Sequence, residues 1–475
     1  MTQASTVVEP RTVQRDLAVE LAEFTTDLDI ARLDSAVVGA VKTNILDTLA
    51  CAIAGSSAHA MDQVVDLVRG WGGAPEADML VFGGKYPAHH AAWVNSGMSH
   101  ARDYDDTHDA AILHAGVSTV PAALAAGQLG GRLSGADLIA AVAAGLEVTC
   151  RLGVAIEIDI IEAGFIYSSL LGYFGATAAA GRALGLTAEE QHNAFGIVYS
   201  SVAGNHQVTR DASQMKRLQP GLAAQAAVVA VQLARRGIRG AQGVFDGEDG
   251  FFRVYMHNRV NRAAVTEGLG GRFELLNLSY KPYPCCRDTH SAIDATLEIQ
   301  SKVSRRAEEI ESIQVGVTAP GYQMVCVPEE VRLEPRTIVE AQFSIPYTVA
   351  AAWIDRGVRI GHFAEDSLDR ADILALAVRV QPYVDEEIDR DWSRFVTPAR
   401  VTIRFTDGTM EEARVDYPRG HPKNRMSAAE IAAKTADCAT LAAKPLASDA
   451  AAQLTEAVGR LEQLGDIGAL IEVVS

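Results

Sequence analysis

The sequence has little positive charge and few aromatic residues. Its 475 residues include 42 Lys and Arg against 60 Asp and Glu, which gives a net charge of −18 at pH 7, and only 6% of the residues are aromatic. Binding to nucleic acid or to an anionic membrane surface needs an excess of positive charge. We therefore expect neither as a partner, and an anionic substrate would have to be held by local cations.

Cysteine is also scarce, with six residues and no CxxC pair. This spacing excludes a zinc site of the common type and the disulfide framework of a small secreted domain. Residues 1–16 contain four charged residues and no apolar run, so we expect no signal peptide. No uninterrupted apolar stretch reaches the roughly 18 residues of a membrane helix. The expected location is the cytoplasm.

Helical periodicity dominates the first half of the chain. Hydrophobic residues make up 48% of the sequence, and in this half they recur at helical spacing after N-cap residues such as Ser134 and Thr187. Small residues are abundant and let helices approach closely, which favours a mainly α protein. We predict helices over residues 17–24, 35–54, 61–71, 134–152, 187–199 and 221–235.

The pattern changes near residue 273, where alternating apolar residues indicate strands. Ser427 then begins a capping box, and the tail to residue 471 is helical again. The length suggests at least two domains, so we expect a smaller α+β unit between about 273 and 420. We predict strands over residues 313–318, 376–384, 399–405 and 412–417, with a hairpin turn at 406–409.

The segment HARDYDDTHDAAILHAGVSTVP, which starts at His100, is the richest in chemistry. It holds three histidines and four aspartates within fifteen residues. Histidine suits proton transfer because its unperturbed pKa is about 6.5. We take Asp103, Thr107, His108 and His114 as candidates for a site that combines acid and base groups with anion-binding donors. The alternative is a polar loop between two helices.

Two further segments supply local cations. The segment YKPYPCCRDTH carries Lys281 and Arg287 on an irregular path fixed by two prolines, and the segment RDASQMKRLQPG carries Lys216 and Arg217 just before an apolar helix. Binding residues concentrate on loops that a rigid scaffold holds in place. In the alternative, the two adjacent cysteines are packing residues and the cations lie on the surface.

Together these segments have the groups needed to remove a proton from a carbon next to a carboxylate, with cations to stabilise the negative charge that develops. Asp105-Asp-Thr-His-Asp109 also matches the DDxxD pattern with which class I terpene synthases hold magnesium. We do not favour this magnesium-binding interpretation, because no second metal motif follows in the sequence and few aromatic residues are available for a carbocation pocket.

These segments make the chain resemble the MmgE/PrpD family. The resemblance rests on DYDDTHDAAILHAGVSTVPAALA (103–125), QMKRLQPGLAAQ (214–225), YKPYPCCRDTHSAIDA (280–295) and FSIPYTVAAA (343–352). It implies a large all-helical domain from residues 1–272 and 423–475, and a smaller α+β lid domain from residues 273–422. It further implies a homodimer, and an active site between the domains with neither metal nor organic cofactor.

The resemblance also implies roles for particular residues. In the decarboxylase subgroup of the family, a second histidine stands where this chain has Cys286, and the KPYPCCR form looks more like the epimerase. The implied catalytic residues are Asp103, His114, Lys216 and Lys281. The resemblance implies Thr107 and Tyr322 as substrate-binding residues, and the segments themselves add His108, Cys286 and Arg287 to that set.

We therefore expect a cofactor-independent enzyme that transfers a proton next to a carboxylate of a small di- or tricarboxylate. The favoured reaction is that of a hydro-lyase resembling 2-methylcitrate dehydratase. An epimerase of the iminodisuccinate type and a decarboxylase of the cis-aconitate type are the alternatives. A non-catalytic protein that binds small acids is a more remote alternative, because the set of acid and base groups is intact; such a protein would not exchange substrate protons with solvent.

Overall fold

The structure is a computed structural model that describes residues 15–158, 160–392 and 398–474. The described chain is mainly helical, as predicted. The helices before residue 270 are α1 (Leu17–Asp27), α2 (Ser35–Gly55), α3 (Met61–Trp71), α4 (Ala88–His100), α5 (Gly116–Leu129), α6 (Gly135–Ala155), α7 (Ile160–Ala163), α8 (Tyr167–Leu184), α9 (Ala188–Tyr199), α10 (Gln207–Arg210), α11 (Met215–Arg235), α12 (Phe251–Met256) and α13 (Arg262–Thr266).

Shorter helices and a small sheet follow. These helices are α14 (His290–Lys302), α15 (Ala319–Val325), α16 (Glu329–Leu333), α17 (Ile338–Gln342), α18 (Ile345–Asp355), α19 (Ala371–Ala377), α20 (Glu386–Trp392), α21 (Ala428–Ala439), α22 (Ala450–Gly459) and α23 (Gly468–Glu472). The strands in the described part of the chain are β1 (Ala77–Asp78), β2 (Lys85–Tyr86), β3 (Thr107–His108), β4 (Leu278–Ser279), β5 (Ile310–Val317), β6 (Val380–Val384), β7 (Ala399–Phe405) and β8 (Met410–Val415).

Local capping chemistry sets several helix starts where the sequence predicts them. The Ser134 side chain accepts a hydrogen bond from the backbone of Asp137 at the start of α6. Thr187 and Ser427 begin capping boxes with Glu190 and Glu430, at α9 and α21. Each cap satisfies a backbone N–H that has no partner within its helix. These three predictions are confirmed.

Two predicted elements differ from the structure. Helix α11 begins at Met215 rather than near residue 221, so Lys216 and Arg217 lie in its first turn. The helix continues through Pro220, which lies in its second turn. The stretch 376–384 divides into the end of α19 and the strand β6. A short run of apolar residues is compatible with a buried helix end as well as with a strand.

The centre of the helical part is a group of closely packed helices, α4, α5, α6, α8 and α11. Gly175 of α8 allows one close approach, because a Cβ there would lie 1.7 Å from Thr149 Oγ1 of α6. Helices α2 and α6 are long and apolar enough to span a membrane, but 67% and 94% of their most apolar windows are buried inside the fold. Their packing is that of core helices.

The larger sheet has the strand order β6-β5-β7-β8. Strands β5 and β6 are parallel, whereas β7 pairs antiparallel with both β5 and β8. The predicted hairpin turn joins β7 to β8, with Gly408 in the left-handed region at φ 85°. A second, two-stranded ribbon pairs β3 with β4, and Thr107 lies opposite Ser279.

Buried apolar residues separate into two main clusters. One combines residues between Leu17 and Tyr280 with residues between Ile431 and Val474. The other contains residues between Cys285 and Ala413. Helices α21 and α22 of the tail pack on α2. The division of the chain into a helical domain and a lid stays a prediction, and these two clusters are the packing on which it rests.

One buried ion pair connects the tail to the rest of the helical part. Lys434 of α21 donates to Asp47 Oδ1 of α2 and to the Tyr104 carbonyl oxygen, both at 2.6 Å, and both charged side chains are buried. Burial acts to lower the pKa of Lys434, but the neighbouring groups, of which Asp47 acts most strongly, together outweigh it and the pKa is raised. Lys434 is therefore charged at neutral pH.

Replacing Lys434 tests how much this connection stabilises the protein. We expect Lys434→Met to lower the free energy of unfolding by about 3–5 kcal/mol, because Asp47 is left buried without its counter-ion. The control is Lys85→Met, which removes an exposed ion pair to Asp78 and should cost at most about 1 kcal/mol. Urea denaturation measures both, and equal losses in the two variants would contradict the prediction.

Candidate active site

The loop between α4 and α5 carries most of the candidate residues and is folded back on itself. Asp103 has φ 53°, in the left-handed region that aspartate tolerates better than most residues. Strand β3 follows and pairs with β4, which brings the segment after Ser279 against the loop. The ribbon thereby places Lys281 next to Asp103, although the two residues are 178 positions apart.

Asp103 is the meeting point of two lysines. Lys281 Nζ lies 3.0 Å from Asp103 Oδ1 and also donates to the Asp103 carbonyl oxygen at 3.0 Å. Lys216 Nζ, from the first turn of α11, lies 3.4 Å from the same Oδ1. Lys216 also lies 5.2 Å from the centre of the Phe343 ring. The three charged groups carry a net charge of +1 in a buried setting, which is an environment that attracts an anion.

The electrostatics keep these groups ionised. Burial acts to raise the pKa of Asp103, but the charges of Lys216 and Lys281 outweigh it and hold the pKa below its usual range. Burial acts to lower the pKa of Lys281, and the nearby Asp103 outweighs it and raises the pKa. Asp103 Oδ2 has no hydrogen-bond partner among the residues that the structure describes.

His114 and His100 share a second carboxylate. His114 Nδ1 lies 2.8 Å from Asp105 Oδ2 and 2.7 Å from the Asp106 carbonyl oxygen. His100 Nδ1, at the end of α4, lies 3.0 Å from the same Asp105 oxygen. Burial acts to raise the pKa of Asp105, but the two histidines outweigh it and lower the pKa. Asp105 is therefore an ionised carboxylate between two imidazoles.

This arrangement fixes the tautomer of His114. Both neighbours of Nδ1 are acceptors, so Nδ1 carries the proton and Nε2 has the free lone pair. No described residue is hydrogen-bonded to Nε2, and the side chain keeps 17% of its surface exposed. A carboxylate that orients a histidine for proton transfer is a recurring arrangement in catalysis. The carboxylate in contact with His114 is Asp105, although Asp103 and not Asp105 is among the candidates from the sequence.

Asp106 orders the start of α5. Its two oxygens accept hydrogen bonds from the backbone N–H groups of Ala115 and Gly116, both at 3.0 Å. A Cβ on residue 116 would lie 2.6 Å from Asp106 Oδ1, so glycine is required there. Burial, with the neighbouring charge of Asp105, raises the pKa of Asp106 to about 7. Asp106 thus fixes the backbone that directly follows His114.

Three other candidates contact groups of the protein itself. Two come from this loop and one from the segment that carries Lys281. Thr107 Oγ1 donates to the Leu113 carbonyl oxygen at 3.3 Å. His108 Nε2 lies 3.3 Å from Glu274 Oε1. Arg287 forms an ion pair with Asp109, with Nη2 3.2 Å from Oδ2. All three side chains are buried. Their assignment to substrate binding stays a prediction.

The two candidates from the second half of the chain lie on different elements. Cys286 is buried, its Sγ lies 3.8 Å from Asp288 Oδ2, and burial raises the pKa of its thiol. Tyr322 is on α15, half-buried against the second apolar cluster. Helix α15 packs on the 3-10 turn that begins at Arg287. Their roles also stay predictions.

Sequence reasoning missed His100, Asp105 and Asp106 as parts of this site. Asp105 and Asp106 were noticed only within the DDxxD pattern. The available signal was the density of acidic residues between two histidines, which does not reveal which carboxylate faces which ring. That information depends on the left-handed turn at Asp103 and on the pairing of β3 with β4.

The DDxxD interpretation does not fit the contacts. Asp105 contacts the two histidines, Asp106 binds the start of α5, and Asp109 pairs with Arg287, so the three carboxylates face different partners. His100, Asp105 and His114 do lie close enough together to hold a metal ion, with ligand atoms within 4.8 Å of one another. The positive charges of Lys216 and Lys281 close by oppose a cation there.

Known proteins match the chain along most of its length. The MmgE/PrpD N-terminal domain matches residues 19–263, and the MmgE/PrpD C-terminal domain matches residues 283–462. The chain belongs to the MmgE/PrpD family. The C-terminal match extends to residue 462, and so includes tail helices that pack in the first apolar cluster rather than with the sheet.

The curated proteins to which this chain is similar are named after one activity. A cis-aconitate decarboxylase from Aspergillus terreus is 27% identical over 97% of this chain and 96% of its own length. The human cis-aconitate decarboxylase is 27% identical over 93% of this chain and 91% of its own length. A cis-aconitate decarboxylase-like protein from Aspergillus oryzae is 25% identical over 98% of this chain and 99% of its own length. Two of these relatives are named as decarboxylases and the third as a decarboxylase-like protein.

Replacing His114 tests its assignment as the proton-transferring group. We expect His114→Ala to lower turnover by roughly 10²- to 10⁴-fold, because it removes the base that faces the buried cations. Circular dichroism and the melting temperature should stay close to the wild type. His192→Ala, on the outer helix α9, is the matched control and should keep full turnover. An inactive His114 variant that has also lost its fold would favour a purely structural histidine.

Chelation tests whether the cluster uses a metal. We expect full turnover after exhaustive dialysis against a chelator, because Lys216 and Lys281 supply the positive charge that a cation would otherwise supply. Metal content is measured by mass spectrometry before and after dialysis. If turnover disappears with the metal and returns when magnesium or zinc is added, then the His100, Asp105 and His114 cluster is a metal site.

Proposed function

We propose that this protein is a lyase that acts on a small di- or tricarboxylate, without an organic cofactor, by transferring a proton at the carbon next to a carboxylate. The observation that carries the proposal is that one short loop carries both His114, with its free Nε2, and Asp103, which pairs with Lys216 and Lys281. The loop therefore combines a base of fixed tautomer with two ammonium groups, and this is the set of groups that such a proton transfer requires.

The two lysines have a defined part in this chemistry. When a proton leaves a carbon next to a carboxylate, negative charge spreads onto the carboxylate oxygens. Lys216 and Lys281 stabilise that charge, and they do so strongly because the site is shielded from water. Asp103 keeps both ammonium groups in place, since its own pKa is held low and it stays ionised. It therefore positions the cations and leaves proton transfer to His114.

We propose decarboxylation of cis-aconitate or a close analogue as the leading reaction, on the strength of the relatives named above. In that reaction the bond from carbon to one carboxylate breaks and carbon dioxide leaves. Its electron pair shifts into the carbon chain next to a remaining carboxylate, and a proton is delivered to carbon. The protonated His114 supplies this proton, and Lys216 and Lys281 bind the carboxylates at the reacting end of the substrate.

Dehydration of a hydroxylated tricarboxylate is the second candidate. The observation that favours it is Cys286, which stands where the decarboxylase subgroup has a histidine and whose thiol is buried with a raised pKa. A neutral thiol at this place cannot act as a second imidazole. In dehydration the neutral His114 takes a proton from carbon and a hydroxyl group leaves, so one imidazole serves as the base.

Incubating the protein in heavy water with each substrate distinguishes these reactions. We expect cis-aconitate to yield carbon dioxide and a five-carbon unsaturated dicarboxylate that carries one solvent deuterium, as seen by mass spectrometry and NMR. 2-Methylcitrate tests dehydration in the same assay. Lys281→Met should abolish either reaction, whereas Lys85→Met, which changes an exposed lysine, should leave it intact. A wild-type protein that binds these acids without product or deuterium exchange would falsify the proposed enzyme.

A further inference from the structure

Five lysine or arginine side chains are buried in the described part of the chain, and four of them are paired. Lys281, Arg287 and Lys434 contact the carboxylates of Asp103, Asp109 and Asp47. The fourth is Arg151, which likewise contacts a carboxylate and backbone carbonyl oxygens. Burying a charge is unfavourable unless it is paired, so this is the expected pattern.

Arg217 is the exception. Only 8% of its surface is exposed, yet none of the described residues forms a hydrogen bond or an ion pair with its guanidinium group. Burial lowers the pKa of Arg217, and the charge of Asp103 acts in the opposite direction. The chain has 60 acidic residues, so the missing partner does not reflect a shortage of carboxylates. An unpaired buried cation of this kind indicates that the partner comes from outside the chain.

Arg217 lines a cavity with a volume of about 400 Å³, which is large enough for a small organic acid. Arg336, from the loop before α17, lines the same cavity and is exposed. His59 is on the wall as well, and its Nδ1 accepts a hydrogen bond from the Gln214 amide nitrogen at 2.7 Å, which leaves the ring proton on Nε2 as a further donor. The carboxylate of Glu365 lies on the wall too, and two arginines outweigh it.

The cavity lies next to the candidate active site. Arg217 follows Lys216 in the first turn of α11, and Lys216 Nζ lies 3.4 Å from Asp103 Oδ1. Ala212 and Val339 line both this cavity and a neighbouring one, which Phe343 also lines. Phe343 also lies 5.2 Å from the Lys216 ammonium group, and Asp103, which pairs with Lys216, is close enough for its charge to act on Arg217.

We propose that Arg217 binds a carboxylate of the substrate that takes no part in the reaction, so that the site selects tricarboxylates over dicarboxylates. This inference rests on the proposed function. Lys216 and Lys281 hold two carboxylates at the reacting end, and Arg217 holds the third. An arginine suits this task because its planar guanidinium group can donate two parallel hydrogen bonds to one carboxylate.

Calorimetric titration with two unreactive acids tests the proposal on the full-length protein. Tricarballylate and glutarate share the same carbon chain, and glutarate lacks the central carboxylate. We expect the wild type to bind tricarballylate more tightly. Arg217→Met should weaken tricarballylate binding by roughly 10- to 100-fold and glutarate binding by less than about twofold, as expected for the loss of one charged hydrogen-bonded pair.

A matched control and a stability measurement accompany the titration. Arg236→Met removes the same charge at the far end of α11, about 28 Å away at about 1.5 Å per residue, and should bind both acids like the wild type. In the absence of ligand, the melting temperature of Arg217→Met should equal or exceed that of the wild type, because the variant removes an unpaired buried charge. A merely structural arginine would instead lower it.

Three results would overturn the proposal, and they are distinguishable. If Arg217→Met binds both acids as tightly as the wild type, then Arg217 is not a carboxylate-binding residue, and the proposed function is unaffected. If the variant loses both acids equally, Arg217 does not discriminate a third carboxylate. If the wild type binds neither acid, the proposed function itself is wrong, and the assignment of Arg217 falls with it.

Discussion

The contact of Asp103 with two lysines constrains the rest of the site. Lys216 comes from α11 and Lys281 from the segment after β4, and both approach the same carboxylate oxygen. Without Asp103 the two ammonium groups would repel each other in a buried setting, where such repulsion is strong. The left-handed backbone at Asp103 and the ribbon of β3 and β4 serve to bring these charges together.

Three carboxylates within four residues have separate tasks because their surroundings differ. Asp103 is held ionised by lysines and Asp105 by histidines, so the pKa of each is lowered. Asp106 lies beside the charge of Asp105 in a buried place, and its pKa is raised to about 7. Neighbouring carboxylates whose pKa values are pushed apart in this way are a mark of functional sites. Because Asp103 and Asp105 stay ionised, neither carboxylate is available to accept a proton at neutral pH.

The sequence predicts the helical class, the capped helix starts and most strands, because these depend on local periodicity and on short-range hydrogen bonds. It also identifies Asp103, His114, Lys216 and Lys281, which the structure brings into one region. It does not predict that Asp105 rather than Asp103 faces His114, since both lie in the same short loop and the choice depends on a single backbone turn. The unpaired state of Arg217 is likewise invisible in sequence, because a helix start rich in cations is most often solvated.

The loop that carries these residues is held by hydrogen bonds to three of its backbone carbonyl oxygens, and this bears on how the site works. Lys281 donates to the carbonyl of Asp103, and Lys434 donates to that of Tyr104. Within the loop, His114 Nδ1 lies 2.7 Å from the carbonyl of Asp106. Donors from two distant parts of the chain and one from the loop itself therefore fix the loop before any substrate arrives. Electrostatic stabilisation costs least when the charged groups need no rearrangement during the reaction. The same contacts couple the tail to the site, because the Lys434 ammonium group that pairs with Asp47 also holds the loop one residue from Asp103.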